Sequence, residues 1–169
     1  VVLGLPEHDV LISGWKHPSR FDPGQPGIFN ATISNYGRNN ETNVSLQFLV
    51  NKTLIDFANI DFLEIDASMQ ASFSWNTTII GVYNVTCYVV PVPEENFTAN
   101  NVVSSDVLVR FPAILRVPDD YLTIKAAVNS AGDGDTVLVG EGHYTEGQID
   151  IFKDNVTLIA DGHVILDGR

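Results

Sequence analysis

Four short stretches of this sequence put an apolar residue at every second position. Their apolar sets are Phe29, Ala31 and Ile33; Val44, Leu46, Phe48 and Val50; Ala71, Phe73 and Trp75; and Tyr83, Val85, Cys87 and Val89. A period of two belongs to a strand with one buried face, because successive side chains leave a strand on opposite sides. Such stretches fold into sheets with a dry face and a wet face. The residue content agrees: Val, Ile and Thr supply 45 of 169 residues, whereas Ala, Lys and Met together supply 15, which favours pleated surfaces over helices. The chain is expected to be mostly β.

Turn clusters at Asp22-Pro23-Gly24, Asn35-Tyr36-Gly37, Asn39-Asn40 and residues 91–101 cut residues 9–109 into short strands. That rhythm predicts a β-sandwich over 1–110, preceded by an extended segment at 1–8. Trp75 and Tyr83, on inward phases, supply bulky core. The order of Pro23-Gly24, Asn35-Tyr36-Gly37, Phe73-Ser74-Trp75, Gly81-Val82-Tyr83 and the loop from Glu95 to Asn100-Asn101 resembles the CARDB family of immunoglobulin-like, cell-adhesion-related modules. The resemblance covers the first two thirds of the chain and implies an immunoglobulin-like sandwich.

Pro112 and Pro118 stiffen residues 111–118, which read as a linker. Asp119 or Asp120 is then expected to cap a short helix with Ile124, Ala127, Val128 and Ala131 on one face, stopped by Gly132. Brief strands are expected at 136–139, 149–151, 156–160 and 164–166. The run from Val117-Pro118-Asp119-Asp120-Tyr121 to Val128, followed by Gly134-Asp135-Thr136-Val137 and Gly142-His143-Tyr144-Thr145-Glu146, resembles the opening of pectin-lyase-like right-handed β-helix domains. The resemblance implies that 119–169 is the helix-capped start of a parallel β-helix. Two coils or slightly more fit there, fewer than the three stacked repeats that usually make a continuous core. The expectation is therefore a piece of a longer protein or an open end covered by another copy.

The formal net charge of −12 argues against a grip on nucleic acid phosphates or anionic lipid. No apolar run reaches the roughly 20 residues that span a bilayer. A single cysteine, Cys87, allows no internal disulfide, and its inward phase makes it a buried hydrophobe. Residues 1–5 lack the charged and long apolar regions of a signal peptide, so any export signal is expected to be already removed. Export itself is indicated by Asn-x-Ser/Thr sequons at Asn30, Asn40, Asn43, Asn51, Asn76, Asn84, Asn96 and Asn155, eight of the fourteen asparagines, where chance predicts about two. In the alternating stretches these asparagines fall opposite the apolar face.

Little else carries chemistry. His8, His17, His143 and His163 lack metal-site spacing. Glu94, Glu95, Asn100 and Asn101 put hard oxygen donors on one loop and are calcium candidates, although the spacing is not that of an EF-hand. Asp133 and Asp135 flank a glycine as turn formers do. Asp150, Asp154, Asp161 and Asp167 have only Lys153 and Arg169 as basic neighbours in sequence, and no nucleophile triad is readable. The expected function is a non-catalytic, extracellular, N-glycosylated structural or adhesion protein of the cell surface. No cofactor is expected beyond its glycans and calcium at the loop candidates, and the expected partners are copies of itself, joined head to tail, or other surface proteins and glycans. The alternative is the N-terminal portion of a secreted carbohydrate-active or carbohydrate-binding β-helix protein. Dense sequons, few cysteines and acidity resemble archaeal surface proteins.

Overall fold

The computed structural model describes residues 6–168. The expected extended segment at 1–8 therefore lies largely outside the described residues. The chain divides into two compact units with the boundary between Arg110 and Phe111.

The first unit contains β1 (Val10–Lys16), β2 (Arg20–Phe21), β3 (Gly27–Asn35), β4 (Glu41–Val50), β5 (Thr53–Leu63), β6 (Ser68–Trp75), β7 (Gly81–Val89) and β8 (Val102–Val109). One sheet has the order β1-β3-β6 and the other β2-β8-β7-β4-β5. All pairings are antiparallel except the short parallel contact of β2 with β8. Two such sheets over one core form an immunoglobulin-like sandwich.

The core is made by the alternating stretches. Phe29, Ala31, Ile33, Val44, Leu46, Phe48, Phe73, Val85, Cys87 and Val89 are buried. Phe48 of β4 reaches across to the other sheet, where it stacks on Phe73 at 5.3 Å between ring centres and meets Phe29 at 4.9 Å. Trp75 and Tyr83, both half-buried, meet edge-on at 4.9 Å. Desolvation pushes the Cys87 thiol up to about 12, so it stays protonated and acts as packing.

The Asn35-Tyr36-Gly37 turn has a structural reason. Buried Asn35 donates through Nδ2 to the carbonyls of Asn39 at 2.8 Å and Leu63 at 3.1 Å, and its Oδ1 accepts from Gly37 N–H at 3.0 Å. A Cβ at Gly37 would stand 2.8 Å from the Glu7 carbonyl oxygen and 2.9 Å from Asp9 N. Only glycine lets the chain before β1 pass this closely.

The second unit contains β9 (Ile114–Val117), α1 (Ile124–Ser130), β10 (Thr136–Glu146) and β11 (Thr157–Gly168). Its sheet has the order β11-β10-β9 and is parallel throughout. Ile114 lies beside Thr136 and Thr136 beside Thr157, so successive strands are offset by 22 and then 21 residues. Apolar positions fall in register, Leu115 beside Val137 beside Leu158 and Val117 beside Val139 beside Ala160, and of these Leu115, Val117, Val137 and Val139 are buried. Ile124, Ala127 and Val128 of α1 are buried in one cluster with Leu115, Val117, Val137 and Val139.

Several sequence expectations need correction here. Residues 111–118 are not a linker throughout, because 114–117 form β9 and bond to β10. The helix cap is Thr123, whose Oγ1 accepts from Ala126 N–H at 3.1 Å, rather than Asp119 or Asp120. Asp120 instead accepts from Arg116 N–H in the preceding turn. The Glu146 carboxylate completes the cap, taking Ile124 N–H at 2.6 Å and Lys125 N–H at 2.7 Å, the helix-end donors that lack intrahelical partners. Residues 149–151 form no strand; Ile149 packs on the core from an irregular loop. Segments 156–160 and 164–166 merge into β11, where Gly162 at φ +99° and His163 together oppose Glu141 as a bulge.

Candidate functional site

Seven of the eight sequon asparagines, Asn40, Asn43, Asn51, Asn76, Asn84, Asn96 and Asn155, are exposed, and Asn30 is half-buried. Asn30 stands on the outer face of β3, where it lines a shallow depression of about 400 Å³ with Gly14, Trp15, Lys16, Thr32 and Gln70. Asn43, Asn51 and Asn155 hold left-handed backbone at φ 55°, 48° and 57°, a conformation asparagine tolerates better than most residues. Asn51 and Asn84 are neighbours: Asn84 N–H donates to Asn51 Oδ1 at 3.0 Å. Asn84 Nδ2 also donates to Asp106 at 3.0 Å and Asn96 Nδ2 to the Glu94 carbonyl at 2.9 Å, both at the surface.

A second group of polar side chains gathers at the loop preceding β8. Glu95 accepts from Val10 N–H at 2.9 Å, from Val92 N–H at 3.0 Å and from Asn101 Nδ2 at 3.2 Å, tying the loop to the start of β1. Asn100 Nδ2 donates to Asp9 at 2.8 Å. Burial pushes the Glu95 carboxyl above its ordinary range, and the Asp9 charge adds to this, against the pull of the three donors. Of the loop residues expected as oxygen donors, Glu95, Asn100 and Asn101 come together, whereas Glu94 is exposed. Asp9 joins them; its distance in sequence hid it, and its only signal was an acidic residue just before the first alternating strand.

His8 lies beside this loop. Its Nδ1–H donates to Oε1 of buried Glu41 at 2.8 Å. That bond raises the imidazole above its ordinary value of 6.5, with partial desolvation opposing and the Glu41, Glu94 and Glu7 charges assisting. The folded state thus holds the proton more tightly than the unfolded chain does. The stabilisation is complete below about pH 6.5 and is lost as pH rises through the folded-state value. The urea midpoint is expected to fall as pH rises above about 6.5, and His8→Gln should abolish the part of the fall due to this residue. A fall of equal size in the variant would remove His8 as its cause.

The remaining titratable groups do not converge. His17 Nδ1 faces the Pro18 carbonyl, and His143 stands 3.9 Å from Asp167. Asp133 accepts from Asp154 N–H at 3.2 Å, and Asp135 holds two main-chain donors, so both shape turns. Among the described residues no group of three or more His, Cys, Asp or Glu side chains is placed to hold a metal ion, and no helix is long and apolar enough to cross a membrane.

The sandwich is similar to a CARDB domain from Pyrococcus furiosus solved in complex with di-metal ions, with a TM-score of 0.56 and 21% identity over 64% of this chain and 94% of that one. The solution structure of the same Pyrococcus domain matches with a TM-score of 0.52 and 22% identity over 64% of this chain and 98% of that one. A domain of a Methanosarcina acetivorans protein inferred to be at the cell surface matches with a TM-score of 0.52 and 24% identity, covering 63% of this chain and 93% of that one. These likenesses concern the fold. No curated protein matches the sequence. Residues 8–105, more than half of the chain, match the CARDB family. The chain belongs to that family.

Proposed function

We propose that this chain is part of a non-catalytic, extracellular surface protein in which an N-glycosylated CARDB sandwich is joined to the capped beginning of a right-handed parallel β-helix. One observation carries the reading: the sequon asparagines of the four alternating stretches lie opposite the core-facing rows, and seven of the eight sequon asparagines are exposed. Buried positions would have been useless for glycan attachment. The likeness to a Methanosarcina domain from a protein inferred to be at the cell surface supports the location. For the second unit, the support is the parallel order β11-β10-β9, with stacked apolar rows and α1 packed on one end.

The other end of that stack is β11, whose Leu158, Ile159, Ile165 and Leu166 are each about half exposed. An edge strand with free backbone groups accepts a further strand. That strand is supplied either by a following coil of a longer chain or by a neighbouring copy, and in the second case repetition of the unlike-surface contact extends into a fibre or layer.

Native material tests both parts together. Glycopeptide mass mapping is expected to find sugar on most of Asn30, Asn40, Asn43, Asn51, Asn76, Asn84, Asn96 and Asn155, and sedimentation is expected to show concentration-dependent assembly. Occupancy of fewer than half the sites sinks the glycoprotein reading; a monomer at every concentration sinks the assembly.

A further inference from the structure

At the loop end of the sandwich, two carboxylates and two asparagine amides share one buried cluster. Asp9 is 7% exposed and Asn101 fully buried. Each asparagine spends its amide NH₂ on a carboxylate, Asn100 on Asp9 at 2.8 Å and Asn101 on both oxygens of Glu95 at 3.2 Å. That leaves Oδ1 of Asn100 and Oδ1 of Asn101, both buried and both without a hydrogen-bond partner among the described residues. Rotating either amide by half a turn does not help, because it would set an oxygen against the carboxylate and strand the NH₂ instead.

Buried amide oxygens are almost always paired in folded proteins, so two orphans on adjacent residues call for a partner. Among the described residues, no positively charged group is paired with the cluster. Among the described hydrogen bonds and ion pairs, Asp9 and Glu95 meet only main-chain N–H groups and amides, and no Lys or Arg. The nearby basic groups are engaged elsewhere, His8 with Glu41 and Arg38 with Glu7. Water satisfies orphan oxygens but leaves two clustered carboxylates uncompensated. A cation answers both needs.

We infer that this cluster binds a calcium ion, with Oδ1 of Asn100, Oδ1 of Asn101 and the Asp9 carboxylate as the protein ligands. Glu95 supplies charge and orients the Asn101 amide. The donors are oxygen only, a mixture of neutral amide and carboxylate, which suits a hard ion of flexible coordination; magnesium demands a stricter octahedron, and zinc prefers nitrogen and sulfur. Because the ligands come from the residue just before β1 and from the loop before β8, the ion would pin together segments some ninety positions apart in sequence. Its effect is to order that end of the sandwich.

The test uses the full chain, stripped with EDTA and dialysed. Titration calorimetry with calcium chloride is expected to show one site with a Kd of about 10⁻⁴–10⁻³ M, as in extracellular modules, and saturating calcium should raise the thermal midpoint because the ion binds only the folded state. Asp9→Asn keeps the shape and the acceptor for Asn100 while removing the charge, and it should weaken calcium at least tenfold with its circular dichroism unchanged. Asn100→Ala, which deletes one proposed ligand outright, should do the same and serves if Asp9→Asn does not fold. The inference is overturned if the folded wild-type protein gives neither heat nor a midpoint shift at about 10 mM calcium. Equal affinity in the folded variants, or an identical response to magnesium, overturns it too, since either result means diffuse binding to an acidic surface.

Discussion

Replacing Phe48 with alanine is expected to cost the sandwich about 3–5 kcal/mol, seen as a lower denaturant midpoint with an unchanged slope. The side chain is fully buried and is the ring through which β4 touches both Phe29 and Phe73 of the opposite sheet. Truncation removes apolar area from the core and leaves a void between two stiff sheets that cannot close over it. Phe57 provides the comparison. It belongs to the neighbouring edge strand β5 but is 61% exposed, so Phe57→Ala should stay within about 0.5 kcal/mol of wild type. Equal losses for the two would mean that the sandwich core is not where the alternation places it.

A comparable loss is expected in the second unit from Asp135→Ala, about 2–5 kcal/mol. Asp135 is 1% exposed, and its two oxygens accept from Ala113 N–H and Gly132 N–H, each at 2.8 Å. One carboxylate thus fixes the chain entering β9 to the chain leaving α1. Alanine removes two charge-assisted hydrogen bonds to part-buried main-chain donors, each worth about 1.5–3 kcal/mol. Asp135→Asn retains one acceptor and should fall between. Amide hydrogen exchange reads the effect at its source: Ala113 and Gly132 should lose protection first. If their exchange is unchanged in Asp135→Ala, the carboxylate is not what holds this corner.

Much of this architecture was legible because burial on one sheet face writes itself into alternate positions. The rows containing Phe29, Val44, Phe73 and Val85 gave the sandwich strands and the outward phase of the sequons from pattern alone. Pairing across long sequence separations left no such mark. Nothing in the local sequence ties Glu95 to Val10 N–H, Asp9 to Asn100 or Glu146 to the start of α1. Other misses were signals overridden by stronger ones. Pro112 and Pro118 suggested a stiff connection, yet Leu115 and Val117 carry the period-two signal of β9 between them. Asp119 and Asp120 are good caps, but Thr123 sits three residues before Ala126 and is the one whose hydroxyl reaches an orphan N–H. At 149–151 apolar residues anchor a loop, which periodicity cannot tell from a strand.

The clasp between Glu146 and α1 sets an order of events during synthesis. The helix has seven residues, too few to persist alone in water. Its first two N–H groups wait for a carboxylate some twenty positions downstream, at the very end of β10. As the chain emerges N-terminus first, residues 124–130 therefore pass through the exit unstructured, and the lid of the stack is laid down only after the strand beneath it has been made.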